Sequence, residues 1–202
     1  MGVLDAAISE SRLAEHAIEP LFLRRWSPRA LDGAPLPEHA LARILEAARW
    51  APSASNIQPW RFVYALRGEP GWGTLLGLLR PNNQLWAKHS GALVFICSET
   101  VRPGRGDAPA QPSRSHSFDA GAAWAFLALQ ATALGWHTHA MGGFDHERAH
   151  AELNVPESFR IEVAVAIGRL GDKALLAEDL KARERPSDRR PLRDSIFRAR
   201  FP

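Results

Sequence analysis

Apolar residues recur along the chain at spacings that predict helices separated by strands. One helix is predicted to begin at Pro37 and Glu38, because proline suits a first helical turn, and Pro52 is expected to end it. Its apolar face consists of four residues at helical spacing: Leu41, Ile44, Leu45 and Ala48. A longer helix is predicted over residues 118–136, with Asp119 placed to cap it. Small residues cover most of this second helix, so other elements can approach it closely and we expect it at the centre of the fold.

Two apolar runs predict the main strands of a sheet. Residues 91–99 are almost continuously apolar, and residues 159–168 alternate before becoming apolar, which is typical of strands buried by the rest of the domain. Shorter segments predict a polar amphipathic helix at 4–18, a strand at 61–66, and helices at 72–79 and 145–153. Residues 101–117 are rich in Pro, Gly, Ser and Arg without periodicity, which predicts a loop or a mobile lid. Together these elements predict an α+β domain with a central sheet covered by helices.

Length and composition narrow the class of protein. The 202 residues suit one compact domain, and 46% hydrophobic with 23% charged residues is typical of soluble proteins. No apolar run approaches the roughly 18 residues of a membrane span, and the first residues do not have the pattern of a secretory leader. The single cysteine, Cys97, lies in an apolar stretch, which excludes an internal disulfide and favours the cytoplasm.

Positive charge is concentrated towards the C-terminus, although the formal net charge is only +3. Residues 181–200 contain eight basic side chains: Lys181, Arg183, Arg185, Arg189, Arg190, Arg193, Arg198 and Arg200. Such a run is compatible with a solvated arm, with an anion site such as one for phosphate, or with a tail that crosses to a partner. Nucleic acid is not expected as a partner, because the basic residues lack interleaved aromatics and a helix that could read bases.

Two short segments carry groups suited to a planar ligand with a phosphate and polar edges. Arg25, Ser27 and Arg29 alternate around Pro28, so an extended backbone would direct the three side chains to one side. Guanidinium and hydroxyl groups in this arrangement bind phosphate through charge-assisted hydrogen bonds. A surface turn that makes salt bridges would use the same residues.

The second segment is Ala-Pro-Ser-Ala-Ser-Asn-Ile-Gln-Pro-Trp at 51–60, directly after the predicted helix. Its hydroxyl and amide side chains can donate to and accept from a ligand, and Trp60 can supply an apolar wall. The same composition is also compatible with a helix stop built from turn residues. No metal is expected, because the histidines are dispersed, and no nucleophile elbow or Walker-type loop is present.

Residues 24–63 resemble the N-terminal signature of the nitroreductase family of flavin-dependent oxidoreductases. The signature is an Arg-x-Ser-x-Arg turn, a helix, and then Ala-Pro-Ser-x-x-Asn-x-Gln-Pro-Trp. Later segments resemble the later blocks of the family in the same order, including the Asp-x-Gly of the long helix and Gly-Gly-Phe-Asp at 142–145. The resemblance covers most of the chain from about residue 20.

The resemblance implies an FMN enzyme that is a homodimer, with its two flavins in the subunit interface. It implies an α+β fold with a central mixed, mainly antiparallel sheet flanked by helices. Residues 1–182 would form a single FMN-binding domain, and residues 183–202 a C-terminal arm that belongs to the same domain and embraces the partner subunit.

Matching positions imply the cofactor contacts. Arg25 and Ser27 match positions that hold the FMN phosphate, and Arg29 matches a basic position beside the ribityl chain and the pyrimidine edge. Arg189 and Arg190 match the C-terminal phosphate clamp, with Arg189 the better placed. The other matches to cofactor-binding positions are Pro52, Ser53, Ala54, Ser55, Asn56, Gln58, Asn83, Gly142 and Gly143.

The chain departs from the family pattern at two positions. Asn83 matches an asparagine at the pyrimidine edge, but Trp86 stands where many relatives have a lysine near the flavin. Gly142 and Gly143 match the backbone turn near flavin N5, where relatives often carry Glu-Gly. Glycine keeps the backbone donor there and lacks the carboxylate.

The implied reaction passes two electrons from NADH or NADPH through flavin N5 to a small organic acceptor of the nitroaromatic, quinone or enone type, in a ping-pong cycle. No side chain is expected to act as a nucleophile. Two alternatives stay open, namely a specialised flavin dehydrogenase or oxidase with the same fold and a non-catalytic flavin-binding protein. Neither nucleic acid nor a membrane is an expected partner.

Overall fold

The computed structural model describes residues 11–104, 106 and 108–201. Its six strands are β1 (Trp60–Leu66), β2 (Ala92–Glu99), β3 (Val101–Arg102), β4 (Gln111–Pro112), β5 (His137–Met141) and β6 (Phe159–Gly168). Four of them form the central sheet in the order β1-β2-β6-β5, and all three neighbouring pairs are antiparallel. The predicted α+β fold with a mainly antiparallel central sheet is confirmed, and the described residues contribute no parallel pair to that sheet.

Seven helices accompany the strands within the described residues. They are α1 (Pro20–Arg24), α2 (Glu38–Arg49), α3 (Trp72–Leu78), α4 (Pro81–Ala87), α5 (His116–Ala133), α6 (His146–Glu152) and α7 (Glu178–Lys181). Among these described helices, none has the length and apolar character needed to cross a bilayer.

The sheet separates two apolar layers, and β2 contributes to both because successive side chains of a strand point to opposite faces. Ala92, Val94 and Ile96 face the layer that contains α2 and α5. The side chains that alternate with them, including Leu93 and Phe95, face the layer that contains α3, α4 and α6. The two-sided burial predicted for residues 91–99 is therefore confirmed.

Two predicted elements need correction. Within the predicted helix at 4–18, only Ser11 of the described residues is helical and residues 12–18 are not, while residues 4–10 lie outside the described residues. The predicted loop at 101–117 contains the short antiparallel pair of β3 and β4, and its last residues already belong to α5. Residues 105 and 107 of this segment lie outside the described residues.

Candidate functional site

The first part of the candidate site is the turn that follows α1. Arg25 has an extended backbone, and its Nη1 donates to the Ser27 Oγ at 3.2 Å, so these two side chains lie together as predicted. Arg29, which was predicted on the same side, lines a different cavity. Both residues are half-buried. They line a cavity of about 390 Å³ with Phe22, Trp124, Ala125, Ala128, Leu129 and Ala140. The turn thus places a cation and a hydroxyl at the edge of a largely apolar cavity against α5.

Two further arginines carry charge into this region. The guanidinium of Arg12 is buried, and its Nη1 donates to the carbonyl oxygens of Leu23 at 2.8 Å and of Arg25 at 2.7 Å. Burial lowers the pKa of Arg12 and of Arg25, and the positive charge of Arg189 lowers both further. Arg189 therefore lies near Arg25, as the predicted phosphate clamp requires. Arg12 was not predicted, since its carbonyl partners are 11 and 13 residues away and follow no periodic pattern.

The C-terminal arm packs against the first described residues of its own chain. Arg189 and Arg190 are exposed and line a cavity of about 580 Å³ between the arm and residues 12–23. The backbone N–H of Leu192 donates to the Glu15 Oε1 at 2.8 Å. Arg190 lies in the same cavity wall as Arg189, but of these two arginines it is Arg189 whose charge lowers the pKa of Arg12 and Arg25.

Two remote side chains fix the backbone of the turn. The neutral His139 ring, with its hydrogen on Nδ1, donates to the Pro28 carbonyl oxygen at 3.1 Å. The Glu184 Oε1 accepts from the backbone N–H groups of Arg29 at 2.7 Å and Ala30 at 2.8 Å. These contacts hold the backbone and leave the Arg29 side chain to extend from it. Neither His139 nor Glu184 was predicted, because their partners are 111 and 155 residues distant.

His139 also explains the position of Trp86. The Trp86 ring is 2% exposed and lies 4.7 Å from the His139 ring, centroid to centroid. Burial lowers the pKa of His139 to about 4, and the charges of Arg29 and Arg25 contribute to this shift. Trp86 is therefore a core residue that packs on the histidine behind the turn.

Asn83 and Gly143, which the resemblance assigns to the pyrimidine edge and to the turn near flavin N5, lie together. The Asn83 Nδ2 donates to the Gly143 carbonyl oxygen at 3.0 Å, and the Arg80 N–H donates to the same oxygen. A Cβ on residue 143 would lie 2.7 Å from the Asn83 Nδ2, so glycine fits this close approach. Gly142 is exposed and a Cβ there would meet open space, so this position has room for a larger side chain.

The second part of the candidate site is the turn at 52–58, whose backbone is strained. Ser55, Asn56 and Gln58 have φ values of +53°, +56° and +54°, a region that L-residues other than asparagine and aspartate rarely adopt. The Ser53 Oγ accepts from the Gln58 backbone N–H at 2.9 Å and so closes the turn. Pro52, Ala54, Ser55 and Asn56 are exposed. Strain held by a specific hydrogen bond is common at binding sites.

Asp119 anchors this turn instead of capping α5. The helix begins at His116, so Asp119 lies inside its first turns and the predicted capping role is wrong. The buried Asp119 Oδ2 accepts from the backbone N–H of Ala54 at 3.2 Å and from the Ser115 Oγ at 3.0 Å. Ala54 and Ser55 line a cavity of about 500 Å³ with the segment that contains β3 and β4. Within one chain, the turn therefore lines a different cavity from Arg25 and Ser27.

The cysteine has a core role. Cys97 is buried in β2, and burial together with the charge of Glu162 raises the pKa of its thiol to about 11. A thiol with this pKa is uncharged at neutral pH and is a poor nucleophile. Within the described part of the chain, no group of three or more His, Cys, Asp and Glu side chains is arranged to hold a metal ion.

The chain is similar to proteins of known family and structure. The model of the nitroreductase family matches residues 23–71 and 72–169. The chain belongs to the nitroreductase family. A solved structure described as an oxidoreductase containing FMN is similar over 95% of this chain and 96% of its own, with 50% identity and a TM-score of 0.92.

Two further proteins are similar to this nitroreductase-family chain at lower identity. An NADH dehydrogenase of Thermus thermophilus is 35% identical over 72% of this chain and 83% of its own length. A nitroreductase family protein of Streptococcus pneumoniae TIGR4 is 20% identical and has a TM-score of 0.69, with 89% of this chain and 98% of that chain covered. The first supports the family assignment and the second supports the fold. The predicted membership of this oxidoreductase family is confirmed.

Proposed function

We propose that this nitroreductase-family protein is an FMN-dependent oxidoreductase that passes two electrons from NADH or NADPH to a small organic acceptor. The observation that carries the proposal is that Arg25 and Ser27 lie together at the edge of one cavity, while Arg189, in the wall of another, is near enough for its charge to lower the pKa of Arg25. Its weight comes from the 50% identity to a solved oxidoreductase that contains FMN. When bound, FMN would supply the redox chemistry by taking hydride at N5 from the nicotinamide and returning two electrons to the acceptor.

The residues present fit a flavin phosphate. Two guanidinium groups and a hydroxyl offer several donors to an anion, and these charge-assisted hydrogen bonds are stronger than neutral ones. The lowered pKa values of Arg12 and Arg25 reflect burial and mutual repulsion, both of which a bound dianion would offset. The neighbouring cavity of about 390 Å³ lies within the range of about 300–1,000 Å³ that is usual for small-molecule sites.

Arg29, Asn83 and Gly143 are the residues that we propose for the ring. The Arg29 guanidinium is partly buried, so its positive charge would stabilise negative charge on a reduced cofactor more strongly than an exposed one. The Asn83 amide and the backbone around Gly143 offer donors and acceptors for the polar edge of the ring. The cofactor-binding residues named from the sequence remain predictions.

We also propose that the active form is a homodimer. Helix α5 is buried along one side, yet Phe118 is 82% exposed and Phe126 40% exposed on the same helix. Apolar residues on the arm, including Phe197 and Phe201, are exposed as well. Because exposed apolar patches mark interaction sites, a second copy is expected against α5, with the arm at 183–202 embracing it. That copy would bring its turn at 52–58 to the cavity beside Arg25.

The visible spectrum of the purified protein tests the proposal. We expect a flavin absorption band that bleaches when NADH or NADPH is added without oxygen and returns when a quinone or nitroaromatic compound follows. A band that neither nicotinamide bleaches would instead support a flavin-binding protein without this activity. A colourless protein that FMN cannot reconstitute would contradict the proposed function.

A further inference from the structure

Glu184 is a buried carboxylate, which is an unusual position for an acidic side chain. The residue is 7% exposed and lies at the start of the C-terminal arm, shortly after α7. Its Oε1 accepts both the Arg29 and the Ala30 backbone N–H, while its buried Oε2 has no hydrogen-bond partner among the described residues. Burying a charged side chain costs free energy unless it is well paired. The burial of the Glu184 carboxylate therefore needs an explanation.

Charge accounts for part of the arrangement. Burial is the main cause that lowers the pKa of Arg29, and the positive charge of Arg183 lowers it further. The negative charge of Glu184 raises it. Glu184 thus reduces the repulsion between cationic groups around the turn. Its carboxylate contacts the backbone of the turn, so it would not have to face a bound phosphate, which it would repel.

Connectivity accounts for the rest. The bonds from Glu184 join the turn to a residue 155 positions later, and Arg189 follows only five residues beyond it. The turn itself carries Arg25 and Ser27, so both halves of the arginine clamp are attached to this one buried carboxylate. Loss of the attachment would let the base of the arm move relative to the turn.

We propose that Glu184 is a positioning residue for the phosphate clamp, which fixes the base of the arm to the turn so that Arg189 is held beside Arg25. This inference rests on the proposed function, because it takes the FMN phosphate as the ligand. Its specific consequence concerns the phosphate alone. FMN and riboflavin share the ring and the ribityl chain, so only the affinity for FMN should depend on Glu184.

The test compares the affinities of FMN and riboflavin for protein stripped of flavin and titrated again. Glu184→Met, which has similar size but no acceptor, is expected to weaken FMN binding roughly tenfold or more and to change riboflavin binding by less than about threefold. Glu184→Gln can keep an oxygen at the position of Oε1, so it should stay within about threefold of the parent for both ligands. Glu178→Met is the matched control, because Glu178 is exposed and its ion pair is a local one with Lys181 on α7.

The outcomes separate the inference from the proposed function. If Glu184→Met leaves FMN affinity unchanged, or weakens both flavins equally, the positioning role is wrong while the flavin enzyme stands. If the parent protein binds neither flavin, both are wrong. Should Glu184→Met be insoluble, Glu184→Asp decides by the same ratio, because its shorter side chain withdraws the carboxylate from the turn. A selective loss of FMN affinity supports the role, and an unchanged ratio overturns it.

Discussion

The positive charges of three guanidinium groups, those of Arg12, Arg25 and Arg189, interact at the proposed phosphate site. The positive charge of Arg189 reaches both Arg12 and Arg25, and Arg12 is held by backbone carbonyl oxygens instead of a carboxylate. Asp188 offsets part of the charge at Arg12. A bound anion stabilises such a cluster, because its negative charge attracts guanidinium groups that otherwise repel one another.

The clamp residues are expected to determine cofactor occupancy. The double variant Arg25→Ala with Arg189→Ala should be soluble but depleted of FMN, since hydrogen bonds to charged groups contribute about 1.5–3 kcal/mol each. The ratio of flavin to protein absorbance after purification measures this. Arg43→Ala with Arg148→Ala removes two exposed arginines from α2 and α6 and serves as the control. Full occupancy in the clamp variant would show that the phosphate lies elsewhere.

His139 should make folding stability depend on pH. Its pKa is lowered to about 4 in the fold, whereas an unfolded histidine titrates near 6.5. Between these values the unfolded chain binds the extra proton, so stability falls as pH falls, by up to about 1.4 kcal/mol per pH unit. Above about pH 6.5 the effect vanishes.

Urea unfolding at about pH 7 and about pH 5 checks the effect. His139→Asn keeps a donor for the Pro28 carbonyl but does not titrate, so its stability should fall less between the two conditions. His137 also has a pKa lowered by burial, and it contributes equally to both proteins. Parallel losses of stability would show that His139 is not the titrating group.

Contacts between residues could be predicted from the sequence where the residues are close together in the chain and follow a local pattern. Arg25 and Ser27 alternate in an extended turn, so their proximity followed from the sequence. Arg12, His139 and Glu184 hold the same turn from elsewhere in the chain. No local pattern encodes such contacts, because they arise only when the sheet and the arm are assembled.

At the scale of elements, the turn at 52–58 combines strain with exposure. Three non-glycine residues there have positive φ, and this conformation costs roughly 1–2 kcal/mol each for Ser55 and Gln58, which adopt it less readily than Asn56. Asp119 and Ser53 hold the turn through backbone N–H groups. The strained turn therefore depends on α5 for its conformation.

Relief of this strain should be measurable at Gln58. Gln58→Gly is expected to be more stable than Gln58→Ala by about 1 kcal/mol, because glycine adopts positive φ without steric cost. Ile57 is the control, since its φ is −70° and alanine should be the more stable replacement there by about 0.5–1 kcal/mol. Chemical unfolding of the four variants provides the comparison. The same order at both positions would contradict the strain.

The elements themselves were predicted best where apolar periodicity is strong. Helix α2 and the central strands β2 and β6 follow from their patterns. The pair of β3 and β4 was missed because each has only two residues and the segment lacks alternation. Asp119 was read as a cap because α5 was expected to begin two residues later than His116.

For the molecule as a whole, α5 both supports the core and leaves apolar residues exposed. Its buried side includes Ala123 and Leu127, and its exposed residues include Phe118 and Gly121. A helix that is apolar around its circumference is normally covered on all sides. A second copy of the chain is the cover that we propose.

Gly121→Arg should convert the proposed dimer to a monomer. A Cβ at Gly121 meets open space within one chain, so the fold tolerates the change, but a large cation would block packing between copies. Size-exclusion chromatography with light scattering measures the mass. Gly73→Arg is the control, because Gly73 is also exposed and open but lies on α3. A monomeric parent protein, or a dimeric Gly121→Arg variant, would contradict the interface.

The bond between Glu184 and the Arg29 backbone also bears on when the clamp appears during protein synthesis. The ribosome adds Glu184 155 residues after Arg29, because a chain is synthesised from its N-terminal side. A growing chain therefore contains the turn long before the residues that hold it. On the proposed role of Glu184, high affinity for the FMN phosphate would be acquired only after Glu184 and Arg189 have been synthesised, so cofactor loading would follow synthesis of the arm.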